Sequence, residues 1–163
     1  MAAFNVRFTA NPPDGWVSVM PTDAGQPHAS VAYVRQADCG GGLVTNISVT
    51  EHLLTVPAVD MEEASDRYAD YLRSRVHALK MIRSDYISRT APVEYGQEFE
   101  FLLDLGAVLL PVCQTRICIA LPLTYASTLI EEIVFTTPQG KARETNVEFV
   151  KFLESLNVIG GEG

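Results

Sequence analysis

Between Glu98 and Phe135 the chain carries strand-like apolar runs in close succession: Phe99 to Leu103, Ala107 to Cys113, Ile117 to Leu123 and Leu129 to Phe135. A sheet with one face in water shows alternation of apolar and polar residues. These runs are too rich in apolar residues for that pattern, so something must cover the second face. What covers it is the sequence's main pointer to function.

The 163 residues fit a single domain over 1–163, long enough to bury a sizeable core. Apolar residues make up 47%, which argues against disorder away from the ends. The net charge of −8 repels phosphate backbones, so nucleic acid is not an expected partner. The start, Met1 to Arg7, shows no basic segment followed by an apolar one, so the expected location is the cytoplasm. The stretch Ala107 to Leu123 is interrupted by Pro111, Gln114, Arg116 and Pro122. A central Arg costs about 2.5–3.5 kcal/mol on insertion, so the segment reads as buried strand and the protein as not integral to a membrane. Cys39, Cys113 and Cys118 are odd in number and read as free thiols. A Cys113–Cys118 bridge requires a tight turn at Gln114 to Arg116.

Phe4 to Phe8, Trp16 to Met20, Ala29 to Val34 and Leu43 to Thr50 read as strands, separated by turn chemistry such as Asn11-Pro12-Pro13-Asp14-Gly15. Asn46-Ile47-Ser48 matches a glycosylation triplet but sits inside a strand. Asp60, with Glu63 three residues on, opens a helix. Its apolar stripe of Ala64, Tyr68, Tyr71, Leu72, Val76 and Leu79 predicts roughly five or six turns. Strands resume at Tyr86 to Arg89 and Val93, then at Gln97 to Leu103, Ala107 to Leu121 and Thr128 to Phe135. A second helix over Arg143 to Leu156 follows, with Gly160-Gly161 ending it. The order is three or four strands, one helix, four strands and one helix, which reads as α+β with a largely antiparallel sheet.

A two-residue turn at Leu105-Gly106 pairs Leu103 with Val108, Phe101 with Leu110 and Phe99 with Val112, giving one wholly apolar face. Beyond that point the apolar residues switch to odd numbers (Ile117, Ile119, Leu121), which predicts a bulge or bend between Pro111 and Gln114. An odd-length turn near Gly106 is the alternative, and it puts Leu109 rather than Leu110 in the core. With two helices on one face, Leu102, Leu109, Ile130 and Val134 are left on the other as the candidate partner or ligand surface.

Nothing marks a catalytic centre. His28, His52 and His77 form no His-x-x-x-His or His-Glu-x-x-His pair, and the cysteines form no Cys-x-x-Cys pair, so no metal ligand or cofactor is assigned. No Gly-x-Ser-x-Gly elbow is present. The expectation is a non-catalytic protein.

The ordered set Phe4-x-Val6-x-Phe8, Pro13-Asp14-Gly15-Trp16, Asn46-Ile47-Ser48-Val49, a long helix with Tyr68 and Leu72, and Ile133-Val134-Phe135-Thr136-Thr137-Pro138 before a helix ending Phe152-Leu153-Glu154-Ser155-Leu156 resembles the PsbP-like (Mog/PsbP) fold. The LpqN-type and DcrB-like bacterial proteins belong to that group. The resemblance implies an α+β fold with an antiparallel β-sheet of about six strands flanked by two main helices, and binding, assembly or chaperone-like roles, often as dimers; it supplies no catalytic residue. The chain departs from the lipoprotein members in having no lipobox Cys near its start. The expected partner is therefore a protein or a second copy in a homodimer, with a small apolar ligand or lipid held between sheet and helix as the alternative.

Overall fold

The computed structural model describes residues 7–40 and 42–159. The expected strand at Phe4 to Phe8 lies mostly outside the described residues, as does the Gly160-Gly161 stop. In chain order the strands and helices are β1 (Arg7–Thr9), β2 (Trp16–Val19), β3 (Val31–Arg35), β4 (Asn46–Leu54), α1 (Met61–Arg73), β5 (His77–Ser88), β6 (Val93–Asp104), β7 (Leu109–Thr124), β8 (Ser127–Pro138), α2 (Ala142–Glu154) and β9 (Asn157–Ile159). Short 3-10 turns occupy Pro21–Ala24, Gln36–Asp38 and Gln139–Lys141. The main sheet has seven strands in the order β2-β3-β4-β8-β7-β6-β5, and β1 pairs with β9 in a separate ribbon. Every pairing is antiparallel.

One helix covers each face. Against α1 lie Tyr95, Phe99 and Phe101 of β6, Val112, Cys118 and Ala120 of β7, and Ile130 of β8. Against α2 lie Trp16, Ile47, Val49, Ile119, Ile133 and Phe135, with Phe149 stacked on Phe135 at 4.4 Å between ring centroids. The second face is therefore closed by α2, not left for a partner as the sequence suggests. Strand β8 runs through the middle, buried at all but three of its twelve positions, because it is sandwiched by both helices. The change of apolar parity along β7 has the same origin. Val112 faces α1, Ile117 and Ile119 face α2, and no bulge intervenes: β6 and β7 pair without a register shift from Val93↔Ala120 to Asp104↔Leu109.

The β6–β7 turn falls one residue later than expected. Leu105 N–H donates to the Val108 carbonyl at 3.0 Å, and Gly106 and Ala107 form the turn. Leu103 pairs with Leu110 and Phe101 with Val112. That register differs by two from the expected one, so every side chain keeps its face. Gly106 takes φ +92°, where a side chain is strained, and its N–H is held by Asp104 Oδ1 at 2.8 Å.

Helix α1 starts as expected, with Asp60 accepting from Glu63 N–H at 3.0 Å, but it ends at Arg73. Val76 and Leu79 continue the stripe by spacing only; the chain turns through Ala78 at φ +52° into the twelve-residue β5. Three register irregularities in the β5–β6 pairing break the period-two pattern that reveals a strand. The buried stripe of α1 is Met61, Ser65, Ala69 and Leu72, while Tyr71 is exposed. On α2 the buried residues are Thr145, Phe149 and Phe152, and Val147 and Val150 face outward.

Replacing Gly106 by Val should cost about 1–2 kcal/mol, because a β-branched residue resists positive φ. Thermal unfolding should show Tm lowered by roughly 3–6 °C. An unchanged Tm would mean that the turn has moved back to the earlier position.

Candidate functional site

The four residues expected to share one exposed face are divided between the two. Ile130 and Val134 are buried, 7% and 5% exposed, on the face that α1 covers; Ile130 packs with Met61, Tyr95, Cys118 and Ala120. They belong to the core because one helix lies on each side of β8. Leu102 and Leu109 lie on the other face, beyond the reach of α2. Leu102 is half-buried opposite exposed Pro111, and Leu109 is 51% exposed opposite Asp104. They adjoin the hairpin tip, where Leu105 and Val108 are also exposed.

Under α1 the even-numbered residues of β7 are polar as well as apolar. Arg116, 4% exposed, binds Glu132 Oε2 at 2.8 Å through Nε. Its Nη1 donates to Ser65 Oγ at 3.2 Å and to Gln97 Oε1 at 3.1 Å. Gln97 Nε2 donates to the Ser65 carbonyl at 3.0 Å. The guanidinium sits 4.7 Å from the Tyr68 ring centroid. Tyr68 in turn donates to Gln114 Oε1 at 2.6 Å, and Gln114 Nε2 to Thr136 Oγ1 at 3.2 Å. Burial raises the Tyr68 hydroxyl well above its ordinary pKa, so it remains a donor at any physiological pH.

This seam leads into a slot. Between the C-terminal half of α1 and the sheet is a cavity of about 330 Å³, bordered by Tyr68, Leu72, Phe101, Leu103, Gln114 and Thr136. A second cavity of about 420 Å³, bordered by Val19, Val34, Val44 and Leu105, lies beside the Pro21–Ala24 turn. Ala24, Gly25, Leu43 and Asn46 line both. Asn46 is 3% exposed. Its Nδ2 donates to the Val44 carbonyl at 3.0 Å, and its Oδ1 has no hydrogen-bond partner. The residues that build the slot were visible in the sequence only as strand positions. The usable signal was the polar set Asn46, Gln114 and Thr136 within strands that otherwise read as core.

Burial raises the Cys113 and Cys118 thiols; Glu100 adds to the effect at Cys113, while at Cys118 the neighbouring Arg116 opposes it and Glu132 adds to it. All three cysteines are free. Among the described residues no group of three or more His, Cys, Asp or Glu could hold a metal ion, and no helix is long and apolar enough to cross a membrane.

One carboxyl is strongly perturbed. Glu131 is 3% exposed and directly opposite Glu51. Burial first, and the Glu51 charge second, push it from 4.5 to about 7. The folded state then holds this proton more tightly than the unfolded chain. The stabilisation is complete below about pH 4.5 and is lost as pH rises through about 7. Glu131→Gln, a permanent mimic of the neutral form, should raise Tm at pH 8 by a few degrees, about 2–4 °C per kcal/mol, and change it little at pH 4.5. An equal Tm shift at both pH values would assign the effect to packing. A second substitution tests the seam. Arg116→Ala strands Glu132 and Gln97 beneath α1 and should cost about 3 kcal/mol or more in urea unfolding, whereas an exposed Arg67→Ala should cost under about 0.5 kcal/mol.

No family model and no curated protein matches the chain. Solved structures do. The chain is similar to LpqN of Mycobacterium tuberculosis, involved in cell envelope biogenesis, at TM-score 0.66 and 8% identity over 95% of this chain and 84% of that one. It is similar to the cyanobacterial PsbP (CyanoP) of Synechocystis at TM-score 0.56 and 13% identity, over 94% of this chain and 92% of that one. The Ran-binding protein Mog1p of Saccharomyces cerevisiae aligns at TM-score 0.51 and 14% identity, over 97% of both chains. With identities this low the likeness concerns architecture, and the α1–sheet–α2 arrangement described above is the PsbP-like fold.

Proposed function

We propose that the protein is a non-catalytic binding protein that takes a protein partner, or a second copy of itself, on the β6–β7 hairpin tip and the adjoining corner of the sheet at Leu102 and Leu109. The observation that carries this reading is the exposure of Leu105, Val108 and Leu109 at 42%, 58% and 51%, while the helices cover the middle of both faces. Each apolar Å² left in water forgoes about 25 cal/mol, and a cluster at one tip is the pattern of a contact surface. Ile130 and Val134 have no part in it. The raised Cys113 and Cys118 thiols and the Ran-binding character of Mog1p support binding over chemistry. A chaperone-like use, in which the tip shields an apolar stretch of the partner, fits the same surface. Three free thiols suit a reducing compartment such as the cytoplasm. A second reading, a small ligand between sheet and helix, is favoured by the cavity under α1.

Light scattering and affinity capture with mass spectrometry, comparing the wild type with Val108→Asp and Leu109→Asp, test the surface. Both positions are exposed, so Tm should change by no more than about 2 °C, while self-association or partner capture should fall at least tenfold. A wild-type monomer whose captured proteins are unchanged in both variants would remove the tip as the binding surface.

A further inference from the structure

We propose that the slot between α1 and the Pro21–Ala24 turn is a binding site for a compact, neutral ligand that carries a secondary amide between apolar groups. This goes beyond the protein-partner reading and does not depend on the hairpin tip. The chemistry comes from the floor of the slot. Asn46 and Thr136 are direct cross-strand partners. Asn46 commits its Nδ2 to the Val44 carbonyl, which orients the amide and leaves Oδ1 as an unpartnered acceptor. Thr136 Oγ1 accepts from Gln114, and its own proton has no recorded acceptor among the described residues. An acceptor beside a hydroxyl donor matches the N–H and C=O of one amide. Two charged residues border the slot away from this floor: Asp23 lines one cavity, and Arg75, stacked over Tyr71 at 4.5 Å, lines the other; being of opposite sign, they favour no net charge on the guest.

The walls supply the apolar contacts. Leu43, Leu72, Phe101 and Leu103 border one cavity, and Val34 and Leu105 the other. Volumes of about 330 and 420 Å³ fall in the range of small-molecule sites. A buried acceptor without a partner carries a desolvation cost, and a guest that donates to it removes that cost. Solvent does not reach Oδ1 in this conformation, although the cavities that Asn46 lines are partly open, so a guest reaches it by a local shift of side chains in the slot. The two volumes suit a compact guest, and a longer segment of a partner is the outcome that the tetrapeptide separates.

The probes are N-isopropyl isobutyramide, its ester isostere isopropyl isobutyrate, and the capped tetrapeptide acetyl-Leu-Ala-Leu-Ala-amide, each titrated into 15N-labelled protein. The amide should shift the Asn46 side-chain NH2 and the backbone of Gly25 and Leu43 saturably, with Kd on the order of 1 mM. The ester, which lacks the donor, should bind roughly 3–10-fold more weakly. Asn46→Leu should abolish the preference for amide over ester. Leu43→Trp, at a half-buried rim position, should block both ligands even if the Asn46 variant fails to fold. Val108→Asp should leave amide binding unchanged, which separates this site from the tip. Equal affinity for amide and ester, or shifts that survive Leu43→Trp, would overturn the proposal. Tetrapeptide binding about tenfold tighter than the amide, with shifts extending through Leu105 to Val108, would overturn the small-ligand assignment in favour of a partner's segment.

Discussion

Strand β8 depends on having a helix on each side, and most of the structure follows from that requirement. It pairs with β4 from Asn46↔Thr136 to Leu54↔Thr128 and with β7 from Val112↔Pro138 to Thr124↔Ser127. Alternate residues therefore point to opposite layers while almost none reaches water. Helices α1 and α2 are each thirteen residues long, a length that is marginal for an isolated helix in water. They persist because each buries one stripe on a sheet that is itself unstable with a bare face. Sheet and helices stabilise one another, and removing either helix exposes half of β8.

The two layers are held differently. The α2 side is built on Phe135, Phe149 and Phe152, with one buried polar line through Thr45, Thr137 and Thr145. The α1 side mixes apolar patches with the Arg116–Gln97–Ser65 and Tyr68–Gln114–Thr136 hydrogen bonds. Directional bonds under a helix cost more to break than to replace by apolar contacts, so they fix where along the sheet α1 sits. That placement leaves a gap between the helix and the Pro21–Ala24 turn, and the gap is the Asn46 slot. Specificity of helix position and the existence of a slot thus have one cause. The ion cluster of Asp38 with Arg35 and Lys141, at 3.2 and 2.9 Å, plays the matching part on the other side. It ties β3 to the start of α2, and against the effect of burial it joins Thr45 in lowering the pKa of Asp38.

Strand alternation made β3 and β4 legible, as did the Asp60 cap, the apolar hairpin and the final helix, because each follows a local period. The architecture class was legible for the same reason. Only the end of strand β5, from Tyr86, was legible, since its bulges remove the period and Leu79 extends the helical stripe of Tyr68 and Leu72 by accident of spacing. The placement of one helix on each face was not legible either, because apolar runs report that both faces are buried and not by what. Reading Gln114 and Arg116 as solvent-facing led to a bulge that does not exist. A buried arginine looks like a surface arginine until Glu132, Ser65 and Gln97 are brought around it from three separate elements. Leu109 was legible as an outward residue, whereas Ile130 and Val134 shared its apolar character and not its surroundings.

Two features on the surface could recruit another chain, and the molecule treats them oppositely. The outer strand β5 offers a free backbone edge twelve residues long, which is normally a route to uncontrolled sheet extension. It exposes Met81, Ile82 and Ile87, but it is interrupted by register irregularities and carries Lys80, Arg83 and Asp85 as exposed charges among them, the usual devices against edge pairing. The β6–β7 tip has no such protection. Its turn places Leu105, Val108 and Leu109 outward with Asp104 and His77 beside them, and Asp104 is engaged with the Gly106 N–H. A chain that guards its longest exposed backbone edge while leaving an apolar tip bare directs association through side chains at the tip, not through backbone pairing at the edge.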